Sequence, residues 1–466
     1  MTNRLPVSCS SLGSNRPGRK MKRLPILCLT GIFLVGWSQT SGAQEAVSNT
    51  SEGSTTSSTG APASASSTGA FSAGTSGTGP TSVSNAPSAA GALQGGPGSV
   101  GVFTPTPVKI YASISGGYDD NLSTIPGNKQ SSAFTSGNVI LDYTFGDPRL
   151  QLVVNAGGGG TYYYSHLSTQ DYDIDLKGAL ALTYKASPRL TLGGSILVSY
   201  LTEPSFQYAG GINSRNGNYL YTTDKAFLEY AWSRRFSTKT SYTFEAFNYD
   251  NNSVGTFSDR ISNVFGNEFR LQMVPTTSLV LEYRYGIVSY QNSFLNSETH
   301  YALGGFDHTF NPRLMATFRG GAEFRSYDND GDRTGPYFEG NLTYALGRRT
   351  SLSWVNRYGI EEPDIPNSQS RTTFRTGLQT KFNATSRIEA ALELYYVRDD
   401  YHAFTTGPVT NGAFTEDTYD AGFTVKYAIN SMFAVQLGYH YTDVTSGSAS
   451  REYSRNRVSG GVNLTF

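Results

Sequence analysis

The chain has 466 residues, of which 13% are aromatic, 15% are charged and 51 are glycine. This mixture is rich in strand-forming residues and poor in helix-forming ones, so it favours an all-β protein over a helical or α/β one. The 36 basic and 36 acidic residues leave no net charge, which argues against a nucleic-acid-binding protein.

The first predicted element is an export signal in residues 1–43. An apolar run from Leu24 to Trp37 follows Lys22 and Arg23 and precedes small residues that end at Ala43. This is the order of a cleaved secretory signal peptide. The run is too short to act as a stop-transfer helix. Met21 is the expected translation start.

The mature chain, which we expect to begin at Gln44, lacks both cysteines, because Cys9 and Cys28 precede it. We therefore expect no disulfide, no thiolate metal site and no thiol nucleophile. The removed region also carries six basic residues and no acidic ones, which leaves 30 basic against 36 acidic residues. The resulting negative charge again argues against nucleic acid as a partner.

Residues 44–107 predict a disordered linker. The stretch SEGSTTSSTGAPASASSTGAFSAGTSGTGPTS has almost no charged or large apolar residues. Such a composition cannot bury enough apolar surface to offset the entropy lost on ordering. We interpret the segment as a flexible exported tail, and a role in gating or in binding the cell wall stays open.

From residue 108 to the C-terminus, strand patterns alternate with short turns and long polar loops. The turns FGDPRLQL, YKASPRLTL and FNPRLMA carry the Asp, Asn, Ser and Pro residues that form tight turns. The long connections fall at about 119–130, 165–171, 202–220, 250–258, 292–298, 328–334, 361–370, 401–416 and 445–455. This order predicts an antiparallel up-and-down β-barrel of about 18 strands (16–18) over residues 108–466.

The two faces of these strands differ in polarity. Between Arg313 and Tyr327, Leu314 and Phe318 share one parity, whereas Arg319 shares the other. A soluble sheet would need a second layer to cover its apolar face, and the sequence supplies none. The pattern therefore predicts a transmembrane barrel with a lipid-facing exterior, a polar lumen and short turns on the periplasmic side.

Aromatic residues recur on the outward parity where the even-numbered strands reach their short turns. Aromatic rings are favoured where hydrocarbon meets headgroups, so we predict a periplasmic girdle. Its expected members are Phe145, Tyr184, Trp232, Phe310, Tyr344, Phe382, Tyr427 and Phe466.

The C-terminal sequence RVSGGVNLTF, with Val462, Leu464 and Phe466 on the outward parity, resembles the closing strand of Gram-negative outer-membrane barrels. The SPRL-type turns followed by Tyr-rich strands further resemble the putative beta-barrel porin 2 family over about residues 108–466. This resemblance implies a location in the outer membrane and assembly through the barrel-assembly machinery, which reads the C-terminal strand.

A barrel of 16–18 strands is wide enough for an aqueous channel unless loops fill it. We therefore predict a porin-like channel for passive or weakly selective diffusion of small hydrophilic solutes. The alternative is an outer-membrane anchor or conduit component associated with polysaccharide export or a surface partner. Loops 202–220 and 401–416 would either bind such a partner or fold inward as a constriction.

Charged residues on the inward parity are candidates for lining the lumen and setting its selectivity. In the irregular hairpin at Val274–Ser278, one register would place Glu268 opposite Arg284 and Arg270 opposite Glu282, as a charge ladder. Such a ladder would hold the wall in register or constrict the pore. The candidates are Lys225, Glu229, Glu245, Glu268, Arg270, Glu282, Arg284, Arg319, Glu323, Arg325, Arg357, Arg375, Lys381, Glu389 and Glu393.

Neither an enzymatic site nor a cofactor is expected. The five histidines are scattered, and His440 in the lumen and His308 on the exterior have no evident partner in the sequence. The DNDGD stretch at Asp328–Asp332 only partly matches a calcium loop, because Arg333 stands where the sharp turn needs Gly. We interpret it as a solvated turn. The expected partners are the lipid bilayer, the assembly machinery and small solutes.

Overall fold

The structure, a computed structural model, describes residues 108–466 except 128, 166–170, 205, 207–210, 216, 292–294, 348 and 406–411. The expected signal region 1–43 and linker 44–107 lie outside the described residues.

The described residues form 18 strands and one short helix. Their bounds are β1 (Lys109–Asp119), β2 (Ser132–Gly146), β3 (Leu150–Tyr163), β4 (Tyr172–Lys185), β5 (Leu190–Leu201), β6 (Tyr219–Ala231), β7 (Phe236–Tyr249), α1 (Asn252–Ser258), β8 (Arg260–Val274), β9 (Thr277–Tyr290), β10 (Ser297–Asn311), β11 (Leu314–Tyr327), β12 (Arg333–Leu346), β13 (Thr350–Glu361), β14 (Ser370–Asn383), β15 (Ile388–His402), β16 (Phe414–Ala428), β17 (Phe433–Ser446) and β18 (Tyr453–Thr465). Among the described residues, no helix has the length and apolar character needed to cross a membrane.

The sheet closes on itself. Each strand pairs antiparallel with its neighbours in the chain, and β18 also pairs with β1, where Gly116 lies opposite Gly460. Phe466 extends this seam, since its N–H donates to the Ile110 carbonyl at 2.8 Å and its carbonyl accepts the Ile110 N–H at 3.1 Å. Closure leaves no free sheet edge. The predicted all-β class, up-and-down topology and 18-strand count are confirmed.

The short turns form where their residue types supply local hydrogen bonds. The Asp147 carboxylate accepts the N–H groups of Arg149 and Leu150, both at 2.6 Å. Ser187 and Ser233 make the equivalent bonds in the next two short turns. These side chains replace backbone partners that the chain loses when it reverses. Short and long connections alternate along an antiparallel sheet. All eight short turns therefore lie at one end of the barrel, and the longer connections lie at the other.

The outward and inward rows differ as the sequence parity predicts. Leu281 and Leu437 on the exterior are 67% and 69% exposed, whereas Glu323 in the interior is fully buried. Inward rings also pack over glycines on neighbouring strands, as Phe134 does over Gly117. A Cβ at that glycine would lie within 2.5 Å of the ring, so only glycine permits this close approach.

The proposed girdle residues lie at or beside the short-turn ends of their strands. Six of them expose between 41% and 60% of their surface, and Phe145 and Tyr344 are half-buried. Their role as an interfacial girdle stays a prediction.

The register of the β8–β9 hairpin differs from the predicted charge ladder. Glu268 lies opposite Glu282, and Arg284 lies opposite Gly266, so the predicted pairing is wrong by two residues. The cause is a tight turn at Pro275–Thr276 combined with a register shift between Gln272 and Val274.

Candidate functional site

The connection between β5 and β6 spans residues 202–218, and we call it the constriction loop. Its described residues, which include 202–204, 206 and 211–213, fold into the barrel. Phe206, Ile212 and Asn213 in this loop are nearly fully buried. The sequence analysis names two long loops that could bind a partner or fold inward. The described part of the constriction loop folds inward. The other, 401–416, is described only in part.

The tip of the constriction loop docks through Asn213. Its amide Nδ2 donates to Asp399 at 2.7 Å and to Glu416 at 2.8 Å. Its backbone N–H donates to Asp364 at 3.1 Å. Each of these acceptors is buried. The side chain of Asn213 therefore joins the loop to β15 and β16, and its backbone N–H joins the loop to the connection that follows β13.

Two arginines on β14 fix the loop backbone. Arg371 Nη2 donates to the Gly211 carbonyl at 2.5 Å, and Arg375 donates to the Phe206 carbonyl. In the order of the sheet, β14 lies nine strands from β5, halfway around an 18-stranded barrel. The loop therefore crosses the lumen to reach the opposite wall.

A second group of charges holds the beginning and end of the loop. The Glu203 carboxylate pairs with Arg455 on β18 and lies 3.6 Å from Arg457. Arg455 also binds Asp119 on β1 at 2.5 Å. Arg215, near the end of the loop, pairs with Asp173 on β4. Buried charges need such partners because an unpaired ion loses its hydration.

The electrostatics of these loop carboxylates favour the docked state. Burial alone would raise the pKa of Glu203, but the Arg455, Arg215 and Arg457 guanidiniums hold it well below its usual range. Asp364 is buried too, and Arg451 and Arg371 likewise lower its pKa. Both acids are therefore ionised at neutral pH in the docked loop.

We expect the contribution of Glu203 and Asp364 to docking to persist as the pH falls from 7 to about 5, and to be lost only below the usual carboxyl range of about 4. A lowered pKa in the folded state contributes stability above the unfolded pKa, which is lost as the pH falls through the folded pKa. A fluorescent probe on Ser214→Cys would report docking across this range.

The matched control for this titration is Glu203→Gln in the same labelled protein. The loop should then dock more weakly at neutral pH, and its docking should depend less on pH, because the amide does not titrate. An equal pH dependence of docking in the Glu203→Gln protein and in the unmodified protein would contradict the role of the Glu203 carboxylate.

Beside the constriction loop lies a cavity of about 330 Å³, bounded by the strands from β5 to β13. Its wall carries both signs of charge in nearly equal number, together with tyrosine hydroxyls. The charged lining residues are Lys225, Lys239, Arg260, Arg284, Arg319, Arg325, Arg357, Glu245, Glu268, Glu282, Glu339, Glu361 and Glu362.

Most charges of this wall are compensated by close partners. Arg284 binds Glu282 and Glu339, each at 2.5 Å. Arg325 binds Glu362 at 2.6 Å. These pairs run along β9, between β9 and β12, and from β11 to the connection after β13, and none of them is a pair of the cross-strand ladder that the sequence predicts.

The structure divides the predicted lumen candidates into two sets. Lys225, Glu245, Glu268, Glu282, Arg284, Arg319, Arg325 and Arg357 line the cavity. The other seven do not line it. Arg270 is not among the lining residues and binds Glu268 at 2.6 Å and Asp307 at 3.2 Å. The Glu323 carboxylate accepts the Ile360 N–H.

Five candidates lie elsewhere on the inner wall. Arg375 lies under the constriction loop, where it also binds Glu361 at 3.1 Å. Lys381 and Glu389 pair at 3.3 Å near the short-turn end of β14 and β15. The remaining two are Glu229 on β6 and Glu393 on β15.

Two histidines have partners that the sequence does not reveal. His440 Nε2 lies 2.6 Å from Asp420 Oδ2 inside the lumen, and His308 Nδ1 lies 2.7 Å from the Thr277 hydroxyl. The expectation that they lack partners is wrong for both. In the DNDGD stretch, Asp330 accepts the Thr405 N–H at 3.0 Å. Within the described residues, no three His, Cys, Asp or Glu side chains group as metal ligands would.

Sequence reasoning missed most residues that hold the constriction loop. Arg371 shares the inward parity of Arg375, and the same parity places Arg455 in the lumen, so strand periodicity alone could have added them. Asn213 and Asp364 lie in long connections that have no periodicity. No sequence signal identifies them as docking residues.

Comparison with known proteins gives one family and several structures. A family model described as "Putative beta-barrel porin 2" matches residues 98–466. Among solved structures, OccAB4 from Acinetobacter baumannii is similar at 12% identity and a TM-score of 0.38, with 78% of this chain and 99% of that chain covered. No curated protein matches the chain.

Two further structures are similar to the same extent. The outer membrane protein OpdK from Pseudomonas aeruginosa has 10% identity and a TM-score of 0.39, with 77% of this chain and 99% of that chain covered. The siderophore receptor PirA from Acinetobacter baumannii has 7% identity and a TM-score of 0.38, with 77% and 80% covered.

Proposed function

Because the chain belongs to the putative beta-barrel porin 2 family, we propose that it is an outer-membrane channel through which small hydrophilic solutes diffuse. The observation that carries this proposal is the constriction loop. It docks on the wall of β14 to β16 and narrows the lumen to a charged cavity along β5 to β13.

The size and charge of the cavity support weak selectivity. A volume of about 330 Å³ lies at the lower end of small-molecule sites, which span about 300–1,000 Å³. Its wall holds seven basic and six acidic side chains. Because these charges nearly balance, the wall should repel neither cations nor anions strongly. Small polar solutes of either charge would pass.

Single-channel recording tests this function. The refolded mature chain, shown to be folded by heat-modifiable gel mobility, should give stable conductance steps in a planar bilayer. Replacing Arg319 with Gln removes a cation that lines the cavity and binds Asp307 at 2.8 Å. The variant should shift the ion preference toward cations. A folded and inserted but silent barrel would overturn the proposal.

The alternative of an outer-membrane anchor or export conduit would use exposed loops as its binding surface. The inward course of the constriction loop removes residues 211–215 from such a surface. Labelling from outside intact cells distinguishes the two functions. A reagent that reacts fully with Ser214→Cys would favour the anchor.

We also propose that the outward row of Val462, Leu464 and Phe466 is what the barrel-assembly machinery binds. Phe466→Ala should lower the amount of folded barrel in cells several-fold, because the exposed ring is lost while the backbone pairing with Ile110 remains. Heat-modifiable mobility of membrane fractions measures this. Thr465→Ala, on the opposite parity, is the control, and an equal loss from it would contradict the proposal.

A further inference from the structure

The short-turn end of the barrel carries arginines at one repeated position. In six of the eight short turns, an arginine directly precedes the first residue of the following strand. In five of these turns the side chain two residues earlier accepts the arginine N–H, as Ser187 does for Arg189 at 3.2 Å. We call the six residues the turn ring, and they are Arg149, Arg189, Arg235, Arg313, Arg349 and Arg387.

Backbone pairing places the turn ring on the inner face of the barrel. The carbonyl of each arginine accepts an N–H from the neighbouring strand at 2.7 or 2.8 Å, as Arg189 does from Ala231 and Arg387 does from Ala428. The antiparallel ladder therefore continues through these positions, and the alternation of side chains continues with it. Arg387 shares the inward parity of Glu389, whereas the predicted girdle aromatics have the outward parity. The ring thus belongs to the mouth of the lumen and not to the lipid-facing wall.

Positive charge is in excess at this mouth. Asp147 is the one acidic residue in the described parts of the eight short turns, and its carboxylate accepts the Arg149 N–H at 2.6 Å. Glu389, two residues beyond Arg387 on the same parity, already pairs with Lys381 at 3.3 Å. All six arginines of the ring are exposed. The short-turn mouth therefore presents a net positive charge to the solution.

The width of the barrel decides when this charge acts on solutes. Eighteen strands that lie about 4.8 Å apart and are tilted by about 40° enclose a backbone cylinder of roughly 18 Å radius. The Debye length is about 30 Å in 0.01 M salt and about 3 Å in 1 M salt. In dilute salt the fields of the arginines therefore overlap across the mouth, whereas in concentrated salt they are screened.

The opposite end of the barrel has the opposite sign. Among the described residues of the long connections, acidic residues outnumber basic ones, and the exposed acids there include Asp250, Asp332 and Glu452. The cavity wall is nearly balanced in charge. The charge thus changes sign along the lumen, from a cationic short-turn mouth to an anionic mouth at the other end.

We propose that the turn ring concentrates small anions at the short-turn mouth and makes ion flow through the channel asymmetric at low ionic strength. This inference rests on the proposed channel function and adds a preference for anionic solutes at one end. Arginine rings favour anions in pores, and charges of one sign raise the local concentration of counter-ions. A voltage that draws anions in through the cationic mouth also draws cations in through the anionic mouth, so the lumen fills with ions. The opposite voltage depletes it.

Single-channel currents of the refolded mature chain at opposite voltages test the ring. In about 0.01 M potassium chloride the two currents should differ about twofold or more, and in about 1 M salt they should be equal. Substitution of all six arginines by Gln should remove most of the asymmetry and shift the reversal potential in a dilute salt gradient toward cation preference. Substitution of all six by Lys should preserve both properties, because the charge stays.

Arg398→Gln is the matched control, because Arg398 is an exposed arginine on the outer wall and should leave the asymmetry unchanged. Heat-modifiable mobility must show that each variant is folded. The triple variant Arg149→Gln, Arg189→Gln and Arg235→Gln keeps three of the six charges. It should lose about half of the asymmetry, which keeps the test decisive where the sixfold variant does not fold.

The outcomes separate this inference from the channel function. Symmetric currents of normal size in dilute salt would overturn the role of the turn ring and leave the channel intact. Asymmetry in phosphatidylcholine bilayers that disappears in bilayers containing phosphatidylglycerol would also overturn it, because the arginines would then bind lipid headgroups. Silence of a folded, inserted barrel would overturn the channel and the role of the ring together.

Discussion

Deleting residues 204–217 and joining Glu203 to Asn218 through two glycines should raise the single-channel conductance about threefold or more. The reason is geometric, because the constriction loop crosses the lumen from β5 to the wall nine strands away. An 18-stranded barrel without such an obstruction encloses an aqueous channel. Planar-bilayer recording of the two proteins under identical salt measures the difference.

The control for this deletion is a change at an exposed connection that does not enter the lumen. Asp328→Ala alters such a site between β11 and β12 and should leave the conductance unchanged. Heat-modifiable mobility must show that both variants are folded. An unchanged conductance in a folded deletion variant would show that the pore does not pass beside the loop.

Replacing Arg371 with Met should destabilise the barrel by about 3–5 kcal/mol, the usual cost of removing one partner from a buried ion network. Arg371 is fully buried. It lies 3.3 Å from Asp399 and 3.7 Å from Glu361. Without the guanidinium, these carboxylates lose their main compensating charge, and the Gly211 carbonyl loses its donor.

Urea unfolding monitored by gel mobility measures the stability change, and the Ser214→Cys probe reports whether the loop undocks. Arg398→Met provides a matched control on the exterior, because Arg398 is 49% exposed and lies 3.8 Å from Asp400. Exposed pairs contribute little to stability. Equal destabilisation by both substitutions would contradict a special role for the Arg371 network.

The sequence by itself determined the barrel class, the 18 strands and the face on which each strand residue lies. These features depend on local chemistry. Period-two alternation assigns Leu314 and Arg319 to opposite faces. Residues such as Asp147 form the turns through hydrogen bonds to residues two or three positions away. A barrel with lipid outside and water inside needs apolar side chains on the outer face of each strand and polar side chains on the inner face, and the chain carries both rows.

Only the tertiary structure decided how the lumen is filled. The β8–β9 register depends on a single irregular residue near Pro275, and a shift there changes every partner of Glu268. The docking of Asn213 onto Asp399 joins residues 186 positions apart in the chain. Such contacts form because closure of the barrel brings opposite walls together, and the chain carries no periodic signal for which loop will cross between them.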